Sequence, residues 1–128
     1  RSLVSYLSAH PTDFKGAVAR LRPELQGLYL AAYQSYLWNR VLASWLRHTL
    51  GTANLCDVEL KLGRVPAPVR VPPEWRADWD ALTLPLPSAR VKPAPGAAWV
   101  PFVEEALRDE GLALAELKIS GMQKPFFS

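Results

Sequence analysis

Few side chains in this sequence stand where catalysis would need them. His10 and His48 lie in separate segments with no nucleophile beside either, and they do not form a one-turn imidazole pair able to share a metal ion. Both read as surface or helix-end residues. Asp78 and Asp80 are two positions apart, so on a helix their carboxylates diverge and cannot work as an acid–base couple. The glycines at 16, 27, 51, 63, 96, 111 and 121 are scattered, which leaves no loop to wrap a nucleotide phosphate with backbone N–H groups. Cys56 is the single cysteine. It excludes an internal disulfide and a thiolate zinc site, and reads as a small buried apolar residue of a reducing compartment.

What stands out instead is a polar interruption in an apolar surface. Ser35 and Asn39 are one helical turn apart in a stripe that otherwise reads Leu28, Ala31, Ala32, Leu42, Leu46, and a second stripe, Tyr33, Leu37, Val41, Trp45, runs beside it. A buried hydroxyl or amide without a partner costs about 1–3 kcal/mol, so both should be engaged. Two readings follow. The pair clamps the helix against a neighbouring loop, or the helix forms one wall of a ligand cleft. The stripe alone favours the clamp, since buried polar groups are normally satisfied within the protein.

The element that must carry these residues is the clearest in the chain. Pro23 suits a first helical turn, Glu24 complements the positive helix end, Arg47 and His48 complement the negative one, and Gly51 supplies a stop. A helix over about 23–50 follows, roughly 40 Å long at about 1.5 Å per residue, apolar enough to need cover on several sides. Before it, Leu3 to Leu7 reads as a helix ended by His10-Pro11, and Thr12-Asp13 offers an N-cap for a second over Phe14 to Leu21, with Gly16 its weak point. After it, Cys56, Val58, Leu60 and Leu62 alternate with Asp57, Glu59 and Lys61, the period of a half-buried strand, with Gly63-Arg64 as the turn. Nine of twelve prolines fall within 66–101, a density that forbids long helices and central strands. This connecting segment is expected to drape over the domain with its tryptophans as plugs, or to hold a short helix from Pro73 carrying Trp75, Trp79 and Leu82. Pro68 to Val71 is the expected edge strand. A last helix begins around Pro101 and ends near Gly111. The expected fold is α+β: one long central helix, short flanking helices, and a small mixed sheet.

At 128 residues and 49% hydrophobic side chains, the chain can bury a core as one domain. The net charge of +3 is a weak argument for a polyanion partner, but it is unevenly placed. Residues 1–50 hold six basic and two acidic side chains, whereas 101–128 hold three and five. No apolar run approaches the roughly 20 residues of a membrane helix, and a cytoplasmic location is the expectation. The first residue, Arg1, and the last, Ser128, look like cuts within something longer.

The run from Arg22 to Leu42, with Ala32-Tyr33-Gln34-Ser35-Tyr36-Leu37-Trp38-Asn39-Arg40 at its centre, resembles the AYQSxLFN-type helix of the TruD family of tRNA pseudouridine synthases, with Trp38 in place of the commoner phenylalanine. Weaker marks are Leu84-Pro85-Leu86-Pro87 and the stretch from Leu117 to Pro125. The resemblance implies isomerisation of uridine, at position 13 of tRNA, without metal or cofactor. It also implies a catalytic aspartate in a GxKDxxAxTxQ-like motif. That motif and the NYFGxQRFG segment are both absent, so catalysis is assigned to none of Asp13, Asp57, Asp78, Asp80 or Asp109. Residues 1–128 thus resemble the family's insertion (TRUD) domain with edges of the catalytic domain, inert alone and embracing RNA together with the missing core. Flipping a base from its stack calls for aromatic walls and cationic banks. Tyr33, Tyr36, Trp38, Lys15 and Arg47 are candidates for these. Arg20, Arg22 and Arg40 are the expected RNA contacts, and Tyr33, Gln34, Ser35, Asn39 and Lys124 are expected at the cleft or domain interface. The contrasting reading is a stand-alone protein-interaction module using exposed tryptophans and the proline-rich segment.

Overall fold

A computed structural model describes residues 3–61 and 63–118. Lys124, and with it the expected return segment after Lys118, lies outside the described residues, as does Leu62. Five α-helices and one β-hairpin follow in the order α1 (Leu3–Ala9), α2 (Phe14–Val18), α3 (Pro23–Leu50), β1 (Leu55–Leu60), β2 (Gly63–Pro68), α4 (Arg76–Ala81) and α5 (Val100–Asp109) among the described residues. The mixed helical and strand composition expected of an α+β chain is present.

Helix α3 begins and ends where its punctuation places it, with Pro23 in the first turn and Gly51 capping the end at φ +69°, a conformation that favours glycine. Its C-terminal half is covered on several sides. Leu37 and Val41 meet Val103, Ala106 and Leu107 of α5 and the more distant Leu117 in one core, while Trp45, Leu46 and Leu50 meet Leu55, Val71, Trp79 and Leu82 in another. Phe102 touches both. The spacing explains α5: Val103, Ala106 and Leu107 share one face, and Glu104, Glu105 and Arg108 fall off it. Each leucine so buried contributes about 1.5–3 kcal/mol.

The N-terminal half of α3 departs from expectation. Leu28 is 63% exposed and Tyr29 61% exposed, and Ala31, Ala32 and Ser35 face solvent beside them. The buried face is instead the neighbouring one, running Gln34, Leu37, Val41, because that is where α5 and the proline-rich segment pack.

The sheet is an antiparallel hairpin of two strands, smaller than the mixed sheet expected. Register pairs Leu60 with Gly63 and Leu55 with Pro68, so the chain reverses before Gly63 rather than at Gly63-Arg64, and the second strand is Gly63–Pro68 rather than Pro68 to Val71. Pro66 and Pro68 share a parity. Alternate residues of an antiparallel pair exchange both backbone hydrogen bonds, so two prolines fit only where their nitrogens point away from β1. Helix α3 packs more against β2 than against β1, which meets the core at Leu55 and leaves 56–60 exposed. Cys56 is consequently exposed, as are Val58 and Leu60, contrary to the half-buried strand that their alternation suggests.

Helix α2 is five residues long and stops short of Leu21. Asp13 caps its start by accepting from the Gly16 N–H at 2.8 Å, and the Gln26 side-chain amide donates to the carbonyls of Val18 at 3.1 Å and Leu21 at 2.9 Å. A Cβ at Gly16 would meet the Asp13 carboxylate and the Tyr6 hydroxyl, so a side chain there would have to displace the Asp13–Tyr6 pair. The proline-rich segment yields both of its expected readings in part: a single 3-10 turn at Pro73–Trp75 leads into α4, and Trp79 plugs the second core while Trp75 is 37% exposed.

Candidate functional site

Helix α3, the hairpin and α5 line a half-open cavity of about 790 Å³. Arg40, Arg47, Lys61 and Arg64 supply its cations, Glu105 and Asp109 its carboxylates, and Asn39 an amide. The volume falls within the ~300–1,000 Å³ typical of ligand clefts.

One side of the cavity is locked by charge. Arg40 donates through Nη2 to Asp109 Oδ2 at 2.6 Å and through Nη1 to Glu110 Oε1 at 2.9 Å, with a further contact from Nη1 to the Tyr36 hydroxyl at 3.1 Å. Tyr36 itself donates to Glu110 Oε1 at 3.0 Å, and Tyr33 to Glu110 Oε2 at 3.3 Å. The Tyr36 hydroxyl, followed by the carboxylates, raises the Arg40 pKa above its ordinary value. Burial, with Glu110 adding to it, raises that of Tyr33. Neighbouring Ser44 donates to Glu105. The acidic excess of residues 101–128 thus meets the basic excess of the long helix. That complementarity was the sequence signal for Asp109 and Glu110, which motif reading passed over.

The expected site residues fall into separate places. Gln34 is 4% exposed and donates through Nε2 to the Pro87 carbonyl at 3.0 Å, fastening the proline-rich segment to α3. Trp38 does the same one turn later, from Nε1 to the Leu84 carbonyl at 3.1 Å. Ser35 is exposed and, among the described residues, bonds back to its own helix, at Ala31 O, 2.9 Å away. The clamp expected of Ser35 is therefore made by its neighbour Gln34. Asn39 lies half-buried on the cavity wall. Arg20 lies far along the chain from the cavity lining, over the Tyr6 ring at 3.6 Å. It also donates to Gly16 O at 3.3 Å. Arg22 is exposed at the start of α3, and Arg40 is engaged with the acidic end of α5. The three arginines do not form one cluster.

Among the described residues no three His, Cys, Asp or Glu side chains are grouped to hold a metal ion, and no helix is long and apolar enough to cross a membrane.

The family described as tRNA pseudouridine synthase D (TruD) matches residues 1–61, which contain the whole of α3. A probable tRNA pseudouridine synthase D of Methanopyrus kandleri is 30% identical over 95% of this chain and 26% of its own length. The chain is similar to members of this family. A probable tRNA pseudouridine synthase D 1 of Methanococcus maripaludis is 35% identical over 49% of the chain and 16% of its own length. The multisubstrate pseudouridine synthase 7 of Schizosaccharomyces pombe is 50% identical over 34% of the chain and 6% of its own length. The chain therefore spans about a quarter of the length of the first of these relatives. No solved structure matches it.

Proposed function

We propose that this chain is a non-catalytic part of a TruD-like tRNA pseudouridine synthase, resembling the insertion domain, that helps enclose RNA beside a catalytic core located elsewhere in the protein. The observation that carries this reading is the likeness to the Methanopyrus kandleri enzyme along 95% of the chain. The geometry supports it. The carboxylates near the cavity are tied to Arg40 and Ser44 rather than poised against a substrate. The exposed face of α3 at Leu25, Leu28 and Tyr29 offers apolar surface to a neighbouring lobe. Lys124, in the expected return toward the core, belongs to the same docking role.

The test is a chimera. The matching quarter of the Methanopyrus kandleri relative is replaced by this chain, and pseudouridine formation in tRNA is measured. The chimera should isomerise uridine, while the chain alone should not. A folded chimera with no activity would overturn the proposal.

One observation favours a second reading. Val69, Trp75 and Leu86 are exposed along the proline-rich segment, as an interaction module for a protein partner would require. That reading expects association insensitive to salt, and no RNA binding at low ionic strength.

A further inference from the structure

The cavity between α3, the hairpin and α5 has two banks of different character. On the α5 side the carboxylates are engaged, because Asp109 and Glu110 hold Arg40 and Glu105 accepts from Ser44. On the hairpin side the balance fails. Arg47 and Lys61 have no carboxylate partner among the described residues, and Arg64 reaches only Glu59, an exposed pair on the hairpin surface that water screens. Between the banks stand two features suited to a planar, hydrogen-bonding group. The Asn39 amide has no hydrogen-bond partner among the described residues. His48 and Phe102 form an edge-on aromatic pair with ring centroids 5.5 Å apart.

We infer that this cavity holds one nucleotide of a single-stranded RNA segment, its phosphodiester against Arg47, Lys61 and Arg64, its base against the His48–Phe102 pair with Asn39 at the base edge. The inference rests on the RNA-enclosing reading above and assigns it a site away from Arg20 and Arg22. Unmatched cations bind phosphate regardless of sequence, aromatic faces stack any base, and a side-chain amide can both donate to and accept from a pyrimidine edge. A free inorganic anion would use only the first of these.

The experiment measures binding of the full chain to a labelled single-stranded oligouridylate by fluorescence anisotropy across a salt series beginning near 20 mM. Wild type should bind in the range of about 10⁻⁴ to 10⁻⁶ M. The double variant Arg47→Ala/Lys61→Ala changes two exposed side chains, and circular dichroism should confirm an intact fold. It should bind about tenfold more weakly, with a salt slope shallower by about 1.4, or ~0.7 for each lost phosphate contact. Asn39→Ala should weaken binding without changing the slope. Undiminished binding by the double variant, with loss on Arg20→Ala/Arg22→Ala instead, would overturn the cavity assignment and leave the RNA-enclosing reading standing. Absence of wild-type binding at the lowest salt would overturn both. Competition by inorganic phosphate equal to that by RNA at the same phosphate concentration would reduce the cavity to an anion site and overturn the nucleotide assignment.

Discussion

Gln34 and Ser35 show how much rides on a single position. They are adjacent, both polar and both on α3, yet one is 4% exposed and bound to the Pro87 carbonyl while the other faces solvent and bonds to its own helix. Gln34→Ala should therefore lower stability by about 1–3 kcal/mol, read as a lower urea midpoint at unchanged slope, whereas Ser35→Ala should stay within about 0.5 kcal/mol. The sequence marks a polar break in an apolar helix but not its rotation, since two apolar stripes run side by side and only the packing of α5 chooses between them. A second residue-level prediction concerns Asp13. The Tyr6 hydroxyl, donating at 2.5 Å, followed by the Gly16 amide, holds its carboxyl below the ordinary range. A folded-state pKa below the unfolded one means that ionised Asp13 stabilises the α1–α2 corner above the usual carboxylate range. That contribution fades as pH falls through the lowered value. An NMR titration following the Gly16 amide should show a midpoint below the ~3.9 of a free aspartate, and Tyr6→Phe should move it upward.

At the scale of elements, the hairpin is where alternation misleads. The period of two continues through Leu62, so the turn reads two residues late; the actual turn depends on Gly63 at φ +119°, a conformation nearly reserved for glycine. No neighbour obstructs a side chain there, so the cost of Gly63→Ala is conformational alone, about 1–3 kcal/mol. It should appear as lost strand signal and a lower thermal midpoint. Helix α3, by contrast, was legible to both ends. Pro23 and Gly51 act locally, through a fixed φ and a missing Cβ, and need no tertiary partner to be read. The exposure of β1 after Leu55 was not legible, because whether a strand face is covered depends on how closely other elements pack over it.

The molecule as a whole is lopsided. Both cores gather around the second half of α3, and its first half carries exposed Leu25, Leu28 and Tyr29. Local stability should follow this gradient. Amide hydrogen exchange should be slow from Leu37 to Leu50 and faster from Glu24 to Ala32, and uniform protection along the helix would contradict the packing described. The contact between Tyr36 or Arg40 and Glu110 joins residues some seventy positions apart and leaves no local trace, apart from the opposed charge of the chain's two ends.

The second core also brings Trp45 and Trp79 together, ring centroids 6.2 Å apart and tilted by 46°. Two indoles at that separation share their excited states, so the chain carries a built-in optical gauge. The near-ultraviolet dichroism of this pair reports whether α4 is seated on α3, and it vanishes if either tryptophan becomes phenylalanine.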